Sequence, residues 1–248
     1  MKIANANPEV LAPGWLVHWF PPRVKPETPG LSGVFFLKAT YRMQHEGACV
    51  AFGKAEFPTG DVPVLEKPEL GIGYASDFVP FKPHAEFFVA GHVHPPSAKS
   101  TAFGAAVRIG DQIKQIGVVG NRKWRKSLLG ATPGEPAPAE KLPLTYARAW
   151  GGADCPANPI GIGRDTEEMP NFELPAKPVV ARSDRHQPAG FAPISHEWAL
   201  RREKLGTYNE EWLKSRWPWF PDDFDWSYFN AAPPSQWLDQ PLRGDETL

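Results

Sequence analysis

Cysteine is nearly missing from this chain. Cys49 and Cys155 are the only two, far apart and outside any metal-ligand spacing. That excludes a disulfide framework and leaves room for a single bridge at most. No apolar run approaches the roughly 20 residues that a membrane-spanning helix requires. Residues 1–20 lack the basic start, apolar stretch and small-residue cleavage site of a secretory signal. Excess charge is missing too: 27 basic and 28 acidic side chains give a formal net charge of −1, with no long block of either sign. A nucleic-acid arm and a lipid-binding patch are thereby excluded. No internal repeat is present. The expectation is a soluble cytoplasmic protein that recognises a partner by shape and apolar contact, with no role for nucleic acid or membrane.

What the chain has in abundance is proline, 29 residues in 248. That is well over twice the usual ~5% and argues against long helices. With 42% hydrophobic residues the chain has enough apolar material for a sizeable core. The expected fold is mainly β with minor α: β-sandwich-like antiparallel sheets, long Pro/Gly-rich loops and two short helices in the C-terminal third. One β-rich domain spans 1–248. Strands are predicted over 34–41, 87–93, 103–109 and 112–119, where β-branched and aromatic residues concentrate. Lys38, in the middle of the first, suggests a face that reaches water or a buried partner. Gly110-Asp111 is a two-residue hairpin signal, glycine supplying the positive φ. It sets Phe103 and Ala105 opposite Val118 and Ile116, an apolar face for a second sheet.

Helices come late. Ser195 is placed to cap one running through Leu205 and stopped by Gly206. Thr207 with Glu210 makes a capping-box signature for another that ends before Pro218 and carries Tyr208 and Trp212 on one face. Residues 130–141 (GATPGEPAPAEK) have too few apolar side chains to pack and read as an exposed, semi-extended loop or a subdomain boundary.

Four constellations could carry chemistry. His92 and His94 point to one side of a strand and, with His84 and Glu86 nearby, could hold zinc or iron. Pro95 and Pro96 follow at once, which equally suits a strand end with solvated rings. Asp77 and Lys82, five apart among apolar residues, could act as a general acid-base pair; a structural ion pair is the favoured reading, since no nucleophile adjoins them. Asp222, Asp223 and Asp225 invite calcium, yet aromatic residues stand where a calcium loop places its turn glycine, so capping and turn roles are preferred. Gly161-Ile162-Gly163 lacks both the Walker pattern and the full dinucleotide fingerprint, leaving tight turns that require glycine. No nucleophile elbow is present, and no histidine adjoins Cys155 in sequence.

The densest feature is the segment 206–233, where aromatic rings, prolines and carboxylates crowd together. Rings carry large apolar area on few rotatable bonds, and prolines hold the intervening backbone extended. Trp217, Trp219, Phe220, Phe224 and Trp226, together with Trp237, are the candidate partner-binding residues. Any single tryptophan has a strong claim to be core, since the residue is highly buried on average; the binding reading needs only a subset exposed.

Ordered motifs along the chain resemble a known bacterial family. They include Lys38-Ala39-Thr40-Tyr41, the run from Ser76-Asp77-Phe78 to Pro83, and Leu142-Pro143-Leu144-Thr145-Tyr146-Ala147-Arg148-Ala149-Trp150-Gly151-Gly152. Asn158-Pro159-Ile160-Gly161, Pro170-Asn171-Phe172-Glu173, Pro188-Ala189-Gly190-Phe191, Gly206-Thr207-Tyr208 and Gly244-Asp245-Glu246 follow in order. The chain resembles, over roughly 31–246, the family catalogued as domain of unknown function 2169, found beside type VI secretion genes. The resemblance implies an adaptor or chaperone that binds a toxic effector and helps load it onto the VgrG-type spike, sometimes with a PAAR-type tip. It implies no cofactor and carries over no catalytic residues. His84, Glu86, His92 and His94 stand where relatives often differ, so the resemblance implies no metal role. Relatives usually continue beyond Gly244-Asp245-Glu246 into further strands, so the chain reads as a short member, a truncated one, or a domain completed by strands from elsewhere. A missing strand would leave an open sheet edge. A metal-dependent enzyme using His92 and His94 and a structural component of the secretion apparatus are the competing classes.

Overall fold

The hairpin at Gly110-Asp111 contains the two longest strands that the computed structural model describes; the described residues are 11–16, 34–52, 56–127, 130–183 and 185–238. Ala102–Ile109 and Gln112–Val119 pair antiparallel, with Ala105 opposite Ile116 and Phe103 opposite Val118. Gly110 has φ 56° and Asp111 does not share the positive sign, the pattern of a turn with glycine at its first central position. Phe172–Glu173 joins the other side of Gln112–Val119, completing a three-stranded antiparallel sheet.

Ile116, Val118 and Phe172 are wholly buried. Leu142, Tyr146, Ala189, Phe191, Ile194 and Trp198 pack with them in the main core. The sheet's apolar face is thus covered by loop segments. The cause is compositional: the covering stretches contain Pro143, Pro188 and Pro193, and proline has no N–H to donate to a ladder. The other sheets among the described residues are two-stranded ribbons, all antiparallel, such as Leu11–Leu16 with Val34–Ala39 and Ala85–Glu86 with Trp237–Leu238. The fold is mainly β, with two short α-helices, Ala199–Arg202 and Glu210–Ser215, in its C-terminal part. None of the described helices is long and apolar enough to cross a membrane.

Where one β-rich domain over 1–248 is expected, the chain's contacts sort into two compact units. The smaller comprises 1–60, 76–81 and 206–224; the larger comprises 61–75, 82–205 and 225–248.

Several sequence expectations need correction. The strand expected over 87–93 is interrupted: Ala85–Glu86 and His92–Val93 are separate two-residue strands. Between them, Phe87 N–H donates to Gln236 O and Val89 N–H to Phe191 O, so the segment alternates between partners. The helix expected from Ser195 is only Ala199–Arg202: the Ser195 hydroxyl does accept from the Glu197 amide, as a cap would, but the regular helix begins after Trp198. Gly206, at φ 75°, does stop the turns that follow. The second helix is capped by Asn209, whose Oδ1 accepts from Trp212 N–H at 2.9 Å; Thr207 bonds to Asp223 instead. Residues 130–141 are not a free loop. Gly130–Pro133 pairs with Trp124–Ser127, and the amides of Ala137 and Ala139 donate to Asn121 O and Ser100 O. Gly120 makes this docking possible, since a Cβ there would lie 1.9 Å from Ala137 O.

Lys114, Glu173 and Arg201 are charged side chains that the fold buries, and Lys114 belongs to the central strand of the sheet. Lys114 Nζ donates to Gln236 Oε1 at 2.5 Å and lies 5.5 Å from the centre of the Phe191 ring. Burial pulls its pKa from 10.5 down to about 7. Between those two pH values the unfolded chain holds a proton that the folded chain has released, so stability rises with pH across that window. Thermal melts taken from pH 7 to 10 should show that rise in the wild type and a flatter profile in Lys114→Met. Parallel profiles for the two proteins would mean that the ammonium is solvated.

Candidate partner-binding surface

The aromatic segment of the smaller unit is held by its own polar side chains. Asp223 accepts from Thr207 N–H at 2.9 Å and from Thr207 Oγ1 at 2.7 Å. These bonds, the backbone one first, hold its carboxyl below the ordinary value. The close approach requires Gly206, where a Cβ would sit 2.7 Å from Asp223 Oδ1. Arg216 donates from Nε to Phe220 O and pairs with Asp222 at 3.0 Å. Trp212 Nε1 donates to Trp219 O at 2.7 Å. The carboxylates proposed for calcium are therefore engaged separately: Asp222 with Arg216, Asp223 with Thr207, and Asp225 capping the turn at Ser227 N–H.

The six candidate aromatic residues have different fates. Trp217 is exposed, at 63% of its full surface. Trp219 and Phe220 are half-buried, and Phe220 stacks at 4.2 Å on Phe224, which is buried. In the larger unit, Trp226 and Trp237 are half-buried. Trp226 lies 6.0 Å from Phe229. Trp237 is stacked at 4.4 Å on His84, with Lys204 Nζ 5.3 Å from its ring centre and its own Nε1 donating to Ala232 O. Of the set, Trp217 offers the most open ring.

Sequence reasoning missed the other exposed apolar groups of the smaller unit. Ten of the sixteen large apolar side chains most exposed among the described residues belong to the smaller unit, led by Phe57 at 80%, Met43 and Leu213. By contrast, the buried residues of the main core all belong to the larger unit, and Phe224 is buried in the smaller. Phe57 could have been noticed: it precedes Pro58 and belongs to no alternating or helical run.

The metal expectation finds no geometry. Among the described residues no three His, Cys, Asp or Glu side chains converge. Glu86 is fully used, accepting from Lys82 Nζ at 2.6 Å, Asn230 Nδ2 at 3.0 Å, Ala232 N–H at 2.9 Å and Ala231 N–H at 3.2 Å. His84 is stacked on Trp237, His92 faces Pro143 across a ribbon, and His94 is exposed. Asp77 and Lys82 do not form one site: Asp77 bonds Lys38 and the Thr59 amide, while Lys82 serves Glu86. Lys38 thus has the partner that its place in a strand suggested.

Gly161 is required by close packing and not by a turn. A Cβ there would lie 2.2 Å from Asn158 Nδ2, which donates to Tyr146 O and Trp150 O. Gly152 alone of this cluster has positive φ, 104°. Cys49 and Cys155 are both free thiols.

These features define a mainly β protein of small antiparallel sheets whose exposed apolar side chains gather on its smaller unit. The chain belongs to the family described as uncharacterized proteins conserved in bacteria (DUF2169), whose profile matches residues 32–248. No curated protein and no solved structure matches it.

Glu86→Ala should destabilise the protein by about 3 kcal/mol, because it strands a lysine and three buried donors. Denaturant unfolding checks this. A variant as stable as the wild type would mean that those donors find water.

Proposed function

We propose that this protein is an adaptor, or chaperone, of type VI secretion, which holds a toxic effector in the cytoplasm of the attacking cell and helps load it onto the VgrG-type spike. The observation that carries the reading is the concentration of exposed large apolar side chains, Trp217 and Phe57 foremost, on the smaller unit. Exposed large apolar side chains, where they form a patch, mark surfaces that a partner covers. Central aromatic anchors dominate interface energies. The polar clamps of Asp223, Arg216 and Trp212 support the same reading, since an anchor held in place before binding forfeits less entropy on docking. The motif order that resembles a family found beside type VI secretion genes supplies the identity of the partners. No metal or cofactor takes part in this mechanism, which is steric and apolar.

Co-purification with the effector and spike polypeptides encoded beside the gene tests it. Trp217→Ala should leave folding unchanged, because the ring is exposed, and weaken the complex by about 2 kcal/mol. Phe224→Ala should instead lower stability by about 3 kcal/mol, as a buried ring does. A wild-type chain that captures neither polypeptide, or a Trp217→Ala complex of undiminished affinity, would count against the reading.

A further inference from the structure

Ala102–Ile109 is the outer strand of the three-stranded sheet. Val119 N–H donates to Asn171 O, on the side away from the hairpin partner. The odd-numbered residues of Gln112–Val119 therefore turn their backbone groups away from the hairpin and the even-numbered ones turn theirs toward it. The register pairs those even residues with Phe103, Ala105, Val107 and Ile109. The backbone donors and acceptors of Ala102, Gly104, Ala106 and Arg108 then point off the sheet, and no described strand pairs with them.

Proteins ordinarily blunt such edges with proline, lysine or a bulge. This one has neither residue from 102 to 109, in a chain with 29 prolines, and its register runs without a break. Beside the edge, on the face turned away from the core, lies an apolar groove of about 660 Å³. Gly104, Gly117 and Ala106 line it together with Gln115 and Glu173, whose carboxylate is bonded to Arg122 and the Val179 amide; Leu174, Pro175 and Pro178 stand beside them. Gly104 is not demanded by packing, since a Cβ there would meet nothing within 4 Å, nor by a positive φ.

We propose that this edge receives an extended segment of the partner polypeptide by strand addition, with a large apolar side chain of that segment seated in the groove. The row of free backbone groups is complementary to an extended peptide backbone. The groove selects the occupant: a second copy of this chain would present on that face its own Ala102, Gly104 and Ala106, which leave the space unfilled, and Arg108, whose Nε is held by Gly110 O at the turn. The inference rests on the reading of the protein as one that grips another polypeptide, and it assigns the manner of the grip.

Two variants of the full chain, with the effector and spike polypeptides encoded beside the gene as probes, test it. Gly104→Leu fills the groove. Ala106→Pro deletes one outward N–H while leaving the hairpin ladder intact, as edge strands tolerate. Both should melt close to the wild type and bind about tenfold or more weakly, and amide exchange across 102–108 should slow when the wild-type complex forms. Unchanged affinity in both variants with unchanged exchange would overturn the strand-addition proposal and leave the adaptor reading standing. Failure of the wild type to bind either polypeptide would remove both. A wild-type dimer that Ala106→Pro converts to monomer would assign the edge to a second copy and overturn the proposal. Should Ala106→Pro fail to fold, Gly104→Leu and the exchange measurement decide.

Discussion

Every proline removes a backbone donor, and this chain has 29 of them. Long ladders are unavailable over most of its length, so buried backbone groups must be satisfied in another way, and the structure answers with side chains. Gln236, wholly buried, donates to Phe87 O and Phe191 O. Asn158 donates to Tyr146 O and Trp150 O, Asn171 to Val119 O, and Asn230 to His84 O. Glu86 and Glu173 accept from main-chain amides, and Arg201 donates to Ile194 O and Tyr228 O. A side chain that binds two distant segments fixes their spacing as a ladder would, but at a single point. Each such residue is consequently worth more than an ordinary hydrogen bond, since its loss strands several buried groups at once.

This economy explains why residues that look catalytic in the sequence are structural in the fold. Asp77, an acid-base candidate beside Lys82 in sequence, accepts from Lys38 and the Thr59 amide, and Glu86, a candidate metal ligand, accepts from Lys82 and the amides of Ala231 and Ala232. A carboxylate with its lone pairs filled in this way has none left for a metal. Lys114 shows the complementary case: the core contains an amine whose charge it disfavours, and Gln236 gives it a hydrogen bond in either protonation state.

Legibility in the sequence follows the range of the interaction. The hairpin was readable because its signal is local: two residues of turn chemistry fix a register that runs unbroken for eight pairs. The cap expected at Thr207 failed for the opposite reason, since its hydroxyl had a choice of partners. Thr207 found Asp223, sixteen residues away, and Asn209 became the cap. The 87–93 strand failed because its amides are divided between Gln236 and Phe191, which no periodicity announces. For the candidate surface, composition pointed to the aromatic segment but could not separate Trp217, which is open, from Phe224, which is buried four residues after the ring that covers it.

Exposed rings and an open strand edge contribute differently to recognition. Rings supply most of the binding energy but discriminate by shape, so they suit one surface. A strand edge recognises main chain, which every polypeptide possesses, and leaves selection to the alternate side chains. A carrier that must later surrender its cargo gains from keeping both contributions modest, because an interface as apolar as a domain core would not release. The groove beside Gly104 fits that limit: glycine and alanine leave its volume open, and of its polar lining Glu173 is already bonded to Arg122 and the Val179 amide.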